Sequence, residues 1–200
     1  MRLFWRRGYE ATSISELTSA MGITPPALYG AFGDKKSLFL ESVQRYEQSA
    51  GQFARRALTE EPTAELAIRH LLLEAVKSFS NPKNPWGCLV VLGATNCSVE
   101  STDIIEAVAA RRRMAENAVR ARIAAGQAAG ELRDNADVDA LSHLVTATLY
   151  GLALKARDGA PHGRLCAVVD QLMKMWPRKA GAADTFGRRG RKASKQPNRR

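Results

Sequence analysis

The sequence predicts an all-α protein with a small N-terminal helical unit, a long connecting helix and a larger helical bundle. Two observations carry that prediction. Apolar residues recur at three- and four-residue spacing through most of the chain. Period-two alternation flanked by turn signals is missing, so strands are hard to place. A length of 200 residues suffices to bury a real core, and 45% apolar with 25% charged residues is the ordinary globular balance. That composition excludes a wholly disordered chain, a collagen-like repeat and a disulfide-dense mini-protein.

Element by element, the first punctuated segment is Ser13-Ile14-Ser15-Glu16, which has the S-x-x-E form of a capping box. Ile14, Leu17 and Met21 follow on one face, and Gly22 sits where a left-handed turn residue belongs. Thr24 is a good N-cap, and Pro25 falls at the first helical position, where its missing N–H costs nothing. Pro26 is tolerated in the same turn. Leu28 and Phe32 supply the buried face, Gly33-Asp34 ends the helix, and Asp34 caps the next one. Leu38, Ser42, Val43, Tyr46, Ala50, Phe53 and Ala57 then predict one long helix over about 35–57. Pro62 interrupts, and a further helix is expected over about 63–80 before Pro82 and Pro85. The apolar run 86–94 fits a buried strand or a buried helix, and its helical surroundings favour helix. Ile104, Ile105, Val108, Val119 and Ile123 mark another helix, punctuated by Gly126 and Gly130. The last two helices are expected near 136–157 and 161–176, before Pro177.

The charge has to be located before it is used. The net +10 is concentrated in 178–200, which holds nine Lys/Arg against Asp184. That tail reads as disordered, because it joins a block of like charge to little apolar content. The first 177 residues carry only +2, so a nucleic-acid reading must rest on a motif rather than on pI. Cys88, Cys97 and Cys166 are odd in number and lack paired metal spacing, as expected of buried thiols in a reducing cytosol. No apolar run approaches the roughly 18 residues of a membrane span. The opening MRLFWRRGYEATS shows no signal-peptide pattern. No P-loop, dinucleotide fingerprint, G-x-S-x-G or H-E-x-x-H occurs, so neither a catalytic site, a metal nor a cofactor is expected.

Two short capped helices joined by a glycine turn make a helix-turn-helix, whose second helix offers its N-terminal residues to the major groove. A generic helical hairpin shares that periodicity. The residues themselves go further: Gly8-Tyr9, Ala11-Thr12-Ser13-Ile14, Leu17, Met21-Gly22-Ile23, Ala27-Leu28-Tyr29, Phe32, Lys36 and Leu38 occur in order. This resembles the tetracycline-repressor (TetR) family of bacterial regulators, densely over residues 3–43. Later, Gly126-Gln127 and Gly130-Glu131-Leu132 look like the loop before that family's dimerisation helices. The resemblance implies a helix-turn-helix DNA-binding domain at 1–45, a ligand-binding and dimerisation bundle at 46–177, and the basic tail at 178–200. It implies a cytoplasmic homodimeric repressor that leaves double-stranded operator DNA when a small effector binds.

Carried onto matching positions, Tyr29 would give its phenol to a backbone phosphate, with Lys35, Lys36 and Ser13 as further phosphate contacts. Pro25, Pro26, Ala27 and Ala31 would face the base edges, with the Thr24 hydroxyl beside them. Pro25, Pro26 and Ala27 cannot make a bidentate hydrogen bond, which leaves thymine-methyl contact, the Thr24 hydroxyl and DNA shape as the means of reading. Effector contacts would come from Trp86, Leu89, Met114, His143 and Tyr150, with plain core as the alternative for each. The four-helix dimer interface would use the helices near 136–157 and 161–176.

Two departures from the family pattern stand out. Thr18 replaces the usual alanine after Leu17, and the family's first helix normally begins about a dozen residues before Leu3-Phe4-Trp5. A missing half-helix would remove two or three buried side chains, at about 1.5–3 kcal/mol each. The competing expectation is therefore a dimeric small-molecule-binding protein whose DNA binding is impaired by a truncated first helix.

Overall fold

The structure, a computed structural model, describes residues 1–179; the expectation of a disordered basic tail falls mainly on residues outside that range. Ten α-helices and one 3₁₀ turn follow one another among the described residues: α1 (Arg2–Arg7), α2 (Ile14–Met21), α3 (Pro25–Phe32), α4 (Lys35–Glu47), α5 (Phe53–Glu60), α6 (Ala64–Phe79), α7 (Leu89–Leu92), the 3₁₀ turn Val99–Ser101, α8 (Thr102–Ala128), α9 (Val138–Arg157) and α10 (His162–Lys174). The fold is all-α, and the single β-bridge described joins Leu132 to Arg178. Among the described residues no helix is long and apolar enough to cross a membrane.

The short α1 is held by what it buries. Phe4 and Trp5 are 0% and 1% exposed. Phe4 meets Phe39 edge-on at 5.1 Å, Trp5 meets Tyr46 edge-on at 4.7 Å, and the Trp5 indole N–H donates to the Gly87 carbonyl at 3.2 Å. Six residues would not hold a helix alone; here α4 and the loop before α7 supply the missing stabilisation.

The expected long helix over 35–57 is in fact two. α4 ends at Glu47, a turn follows, and α5 starts at Phe53. The Ser49 hydroxyl donates to the Arg45 carbonyl at 2.6 Å, and the Gly51 amide donates back to the Tyr46 carbonyl at 2.8 Å. A Cβ at Gly51 would lie 3.2 Å from the Tyr46 ring, so the chain turns back tightly over that side chain. The apolar spacing ran through this turn unchanged because Phe53 and Ala57 pack into the same core as Val43 and Tyr46.

In the bundle, α6 is central and packs against α5, α8, α9 and α10. The ambiguous run 86–94 forms only a four-residue helix, with Leu89 fully buried. Gly126, expected to punctuate, lies inside α8 instead. A Cβ there would come within 2.5 Å of the Ala64 Cβ, so glycine permits the close approach of α6. The turn belongs to Gly130, at φ 77°. Just beyond it, the Glu131 carboxylate accepts from the Ala64 amide at 2.6 Å and caps α6, while Leu132 is fully buried. Arg178 donates to both Glu65 carboxylate oxygens and Lys179 pairs with Asp134 at 3.0 Å, so these two cations belong to the folded bundle.

Candidate DNA-reading helix and effector cavity

The helix-turn-helix is assembled by its caps. The Ser13 hydroxyl accepts from the Glu16 amide at 3.2 Å, and the Glu16 carboxylate accepts from the Ser13 amide at 3.0 Å, which completes the capping box. Gly22 closes α2 in the left-handed region at φ 66°, ψ 31°. Thr24 accepts from the Ala27 amide at 3.5 Å to open α3, and Asp34 accepts from the Ser37 amide at 2.7 Å to open α4. Leu28 is fully buried and pins α3 to the rest of the unit. Everything around it on the leading turn faces outward: Thr24, Pro25, Pro26, Ala27 and Gly30 are exposed, and Tyr29 is 47% exposed. The structure thus brings Thr24, Pro25, Pro26, Ala27 and Tyr29 together on one projecting surface, and Ala31 is exposed as well.

The other proposed phosphate ligands are occupied. The Ser13 hydroxyl also donates to the Glu16 carboxylate at 3.1 Å, and Arg7 pairs with the same glutamate. Lys35 lies 4.4 Å over the Tyr9 ring and 3.4 Å from the Glu10 carbonyl oxygen. Burial lowers its ammonium pKa against the opposing pull of Glu10. Lys36 forms a 2.8 Å ion pair with Asp103 at the start of α8. That contact, chiefly as a hydrogen bond, raises the Lys36 pKa and lowers that of Asp103.

These contacts belong to a seam that joins the helix-turn-helix unit to the bundle, which periodicity could not reveal. Ser98 and Ser101 donate to the two oxygens of the Glu10 carboxylate at 3.2 and 3.0 Å, the Ser101 bond being the main cause of that carboxyl's lowered pKa. The Tyr9 amide donates to the Gly93 carbonyl at 2.7 Å, and Arg157 of α9 reaches the Arg6 carbonyl. Gly8 turns at φ 80° with only 3.1 Å between an added Cβ and the Gly93 oxygen. A glycine at the end of α1 is the one sequence signal that foreshadows this close approach.

A cavity of about 110 Å³ lies inside the bundle, lined chiefly by Tyr46, Phe53, Phe79, Cys88, Val90, Val91, Leu149 and Tyr150, with Glu47, Arg111 and Arg112 at its wall. Of the five effector contacts expected from sequence, Tyr150 alone lines it. Leu89 is fully buried core. Trp86 is 43% exposed and lies in a different surface groove with Arg2, Arg6 and Arg157. Met114 is 67% exposed, and His143 points outward beside Glu116 at 3.3 Å. These residues were chosen for chemistry on apolar helices, but each helix turns only part of its surface inward. Tyr46 went unnoticed because it reads as one more apolar position on α4. Its hydroxyl is the one buried side-chain polar atom without a hydrogen-bond partner among the described residues. The three cysteines are free, and burial raises the Cys88 thiol pKa, so Cys88 rests as a neutral thiol. No cluster that could hold a metal ion occurs among the described residues.

Comparison with known proteins agrees with this geometry. Residues 1–42 match the profile of bacterial regulatory proteins of the tetR family, and residues 65–169 match the tetracyclin repressor-like C-terminal domain. The HTH-type transcriptional repressor ComR of Escherichia coli is 30% identical over 178 residues, covering 88% of this chain and 85% of ComR. A cysteine mutant of the TetR family regulator CifR, solved with 26 bp double-strand operator DNA, is 39% identical. It superposes with a TM-score of 0.85 over 88% of this chain and 92% of its own. A TetR transcriptional regulator from Rhodococcus is 36% identical, with a TM-score of 0.60 over 90% of this chain and 96% of its own. With both halves matched and a relative of this identity aligned along most of its length, the chain belongs to the TetR family of bacterial regulatory proteins.

Proposed function

We propose that the protein is a cytoplasmic, homodimeric transcriptional repressor that holds operator DNA through α3 and leaves it when a small molecule enters the bundle. The carrying observation is the first turn of α3. Its exposed residues 24–27 and the exposed Tyr29 surround a fully buried Leu28, so the helix is fixed from behind and free in front. In this reading Tyr29 meets a backbone phosphate, while Thr24, Pro25, Pro26 and Ala27 lie along base edges. Ser13 serves as a cap, and Lys35 and Lys36 serve the seam. The matched repressors and the operator complex of CifR support the assignment.

Homodimerisation is proposed through α9 and α10, which expose Leu144, Leu154 and Val168, with Met175 just past the end of α10. Two copies would place two α3 helices on successive major-groove faces of a palindromic site. The test is selection of bound sequences from random double-stranded DNA, followed by sizing of the complex. An enriched palindrome bound by an even number of protomers is expected. Recovery of no enriched sequence refutes the operator-binding reading.

A further inference from the structure

We propose that the bundle cavity takes a small uncharged molecule, apolar in body and carrying one hydrogen-bond-accepting oxygen, which the Tyr46 hydroxyl grips. The inference rests on the effector-binding reading above and specifies the chemistry of that effector. Size comes first. The cavity holds about 110 Å³, somewhat less than the roughly 150 Å³ apolar cavity that accepts benzene, so an occupant of at most about six heavy atoms fits.

Charge comes second. Phe53, Phe79, Val90, Val91 and Leu149 make an apolar wall. Of the charges beside it, Arg111 pairs with Glu47 at 2.5 Å, whereas Arg112 donates to the neutral Val90 carbonyl at 3.1 Å and keeps its charge. A cation would give up its hydration for a site that already holds the Arg112 charge, and an anion would trade its hydration for an apolar wall with Arg112 as its one counter-ion.

The polar contact comes third. Tyr46 is 2% exposed and lines the cavity, and its hydroxyl makes no hydrogen bond of ordinary geometry, its polar neighbours being the Cys88 thiol, a weak acceptor, and the Leu89 backbone. Buried hydroxyls are ordinarily paired, so an unpaired one on a cavity wall marks where a ligand atom belongs. Burial pushes the Tyr46 phenol well above its usual range. It therefore stays protonated and offers a donor, which an acceptor oxygen satisfies. Tyr150 is less available, because its hydroxyl already donates to the Arg112 carbonyl at 3.4 Å. Tyr46 also stands between the two units of the protein: its ring meets Trp5 of α1 edge-on at 4.7 Å. A molecule held on Tyr46 thus touches the side chain on which the helix-turn-helix unit rests.

Four probes of six heavy atoms each separate these claims: cyclopentanone, its hydrocarbon isostere methylenecyclopentane, cyclopropanecarboxylate and cyclopentylammonium. Each is titrated into the full chain and into Tyr46→Phe by ligand-observed NMR, with thermal melts confirming that the variant folds. Cyclopentanone is expected to bind best and to lose about 2- to 12-fold in the variant, the range of one neutral hydrogen bond. Methylenecyclopentane should bind both chains alike. Stronger binding of either ion, an unchanged cyclopentanone affinity in the variant, or no binding by any probe overturns the proposal. Should the variant fail to fold, the order of the four probes on the parent chain decides the matter. Operator release is measured separately by fluorescence anisotropy. Tyr46-dependent binding without release upholds the ligand chemistry and refutes effector control, whereas release that ignores Tyr46 does the reverse.

Discussion

Replacing Tyr29 by phenylalanine should weaken operator binding while leaving the protein intact. The side chain is 47% exposed, and among the described residues its hydroxyl has no hydrogen-bond partner within the chain. Its removal therefore breaks nothing in the free protein, and the melting curve should match the parent within the roughly 0.5 kcal/mol of an ordinary surface change. The buried Leu28 beside it is untouched, so α3 keeps its position. On DNA, the lost contact is a hydrogen bond from a neutral hydroxyl to a charged phosphate oxygen, about 1.5–3 kcal/mol per protomer. That corresponds to about a 10- to 150-fold loss of affinity, and two protomers on one operator roughly double the free energy. Tyrosine is neutral, so no cation is removed and the slope of log affinity against log salt should not change. The assay is an anisotropy titration of labelled operator at several salt concentrations, repeated with single-base variants of the site. The loss should be nearly uniform across those variants, because a phosphate contact carries no sequence information. Equal affinity for mutant and parent would refute the phosphate role. A loss confined to certain base pairs would instead place Tyr29 among the base-reading residues.

Ala27→Asn adds a bidentate amide to an exposed turn that has none, and should shift the preferred base at one position by about 1–3 kcal/mol, read by repeating the random-DNA selection; an unchanged site would remove Ala27 from the base edge. Gly126→Ala and Gly22→Ala should both destabilise, for different reasons that denaturant melts and operator titrations separate. At Gly126 the new methyl meets Ala64 at 2.5 Å and overpacks α6 against α8, at a cost of about 1–3 kcal/mol, with the DNA-reading unit unaffected. At Gly22 nothing lies within 4 Å, so only the left-handed backbone resists, at about 1–2 kcal/mol, and the loss falls on the turn that presents α3. An undisturbed Gly126→Ala melt would contradict the close approach of the two helices. Removing residues 180–200 deletes seven Lys/Arg and Asp184 but spares Arg178 and Lys179, which are paired in the bundle. Operator and random DNA should lose affinity by a similar factor, and the salt slope should flatten by about 0.9 for each phosphate released. An unchanged slope would leave the segment no part in DNA binding.

What the sequence determined by itself was local. Ser13 with Glu16, Thr24 with Pro25, Asp34 with Ser37 and the glycine at 22 state where α2, α3 and α4 begin and end, because caps and left-handed turns depend on residues only a few positions apart. The exposure of residues 24–27 around a buried Leu28 follows from the same short-range periodicity. Tertiary structure decided where distant segments meet. Lys36 looked like a phosphate contact at a helix start, yet Asp103, far along the chain, pairs with it at 2.8 Å. Gly126 looked like a stop and is a contact, because α6 needs the volume of a missing methyl. Tyr46 looked like core, and it is core on the side that meets Trp5, while its hydroxyl remains unpaired beside a cavity. Met114 and His143 looked like pocket residues and face outward. Helical periodicity gives the angle of a side chain about its own helix. Which neighbour that angle faces depends on how α4, α6, α8 and α9 cross, and those crossings are set by side-chain packing summed over the whole bundle.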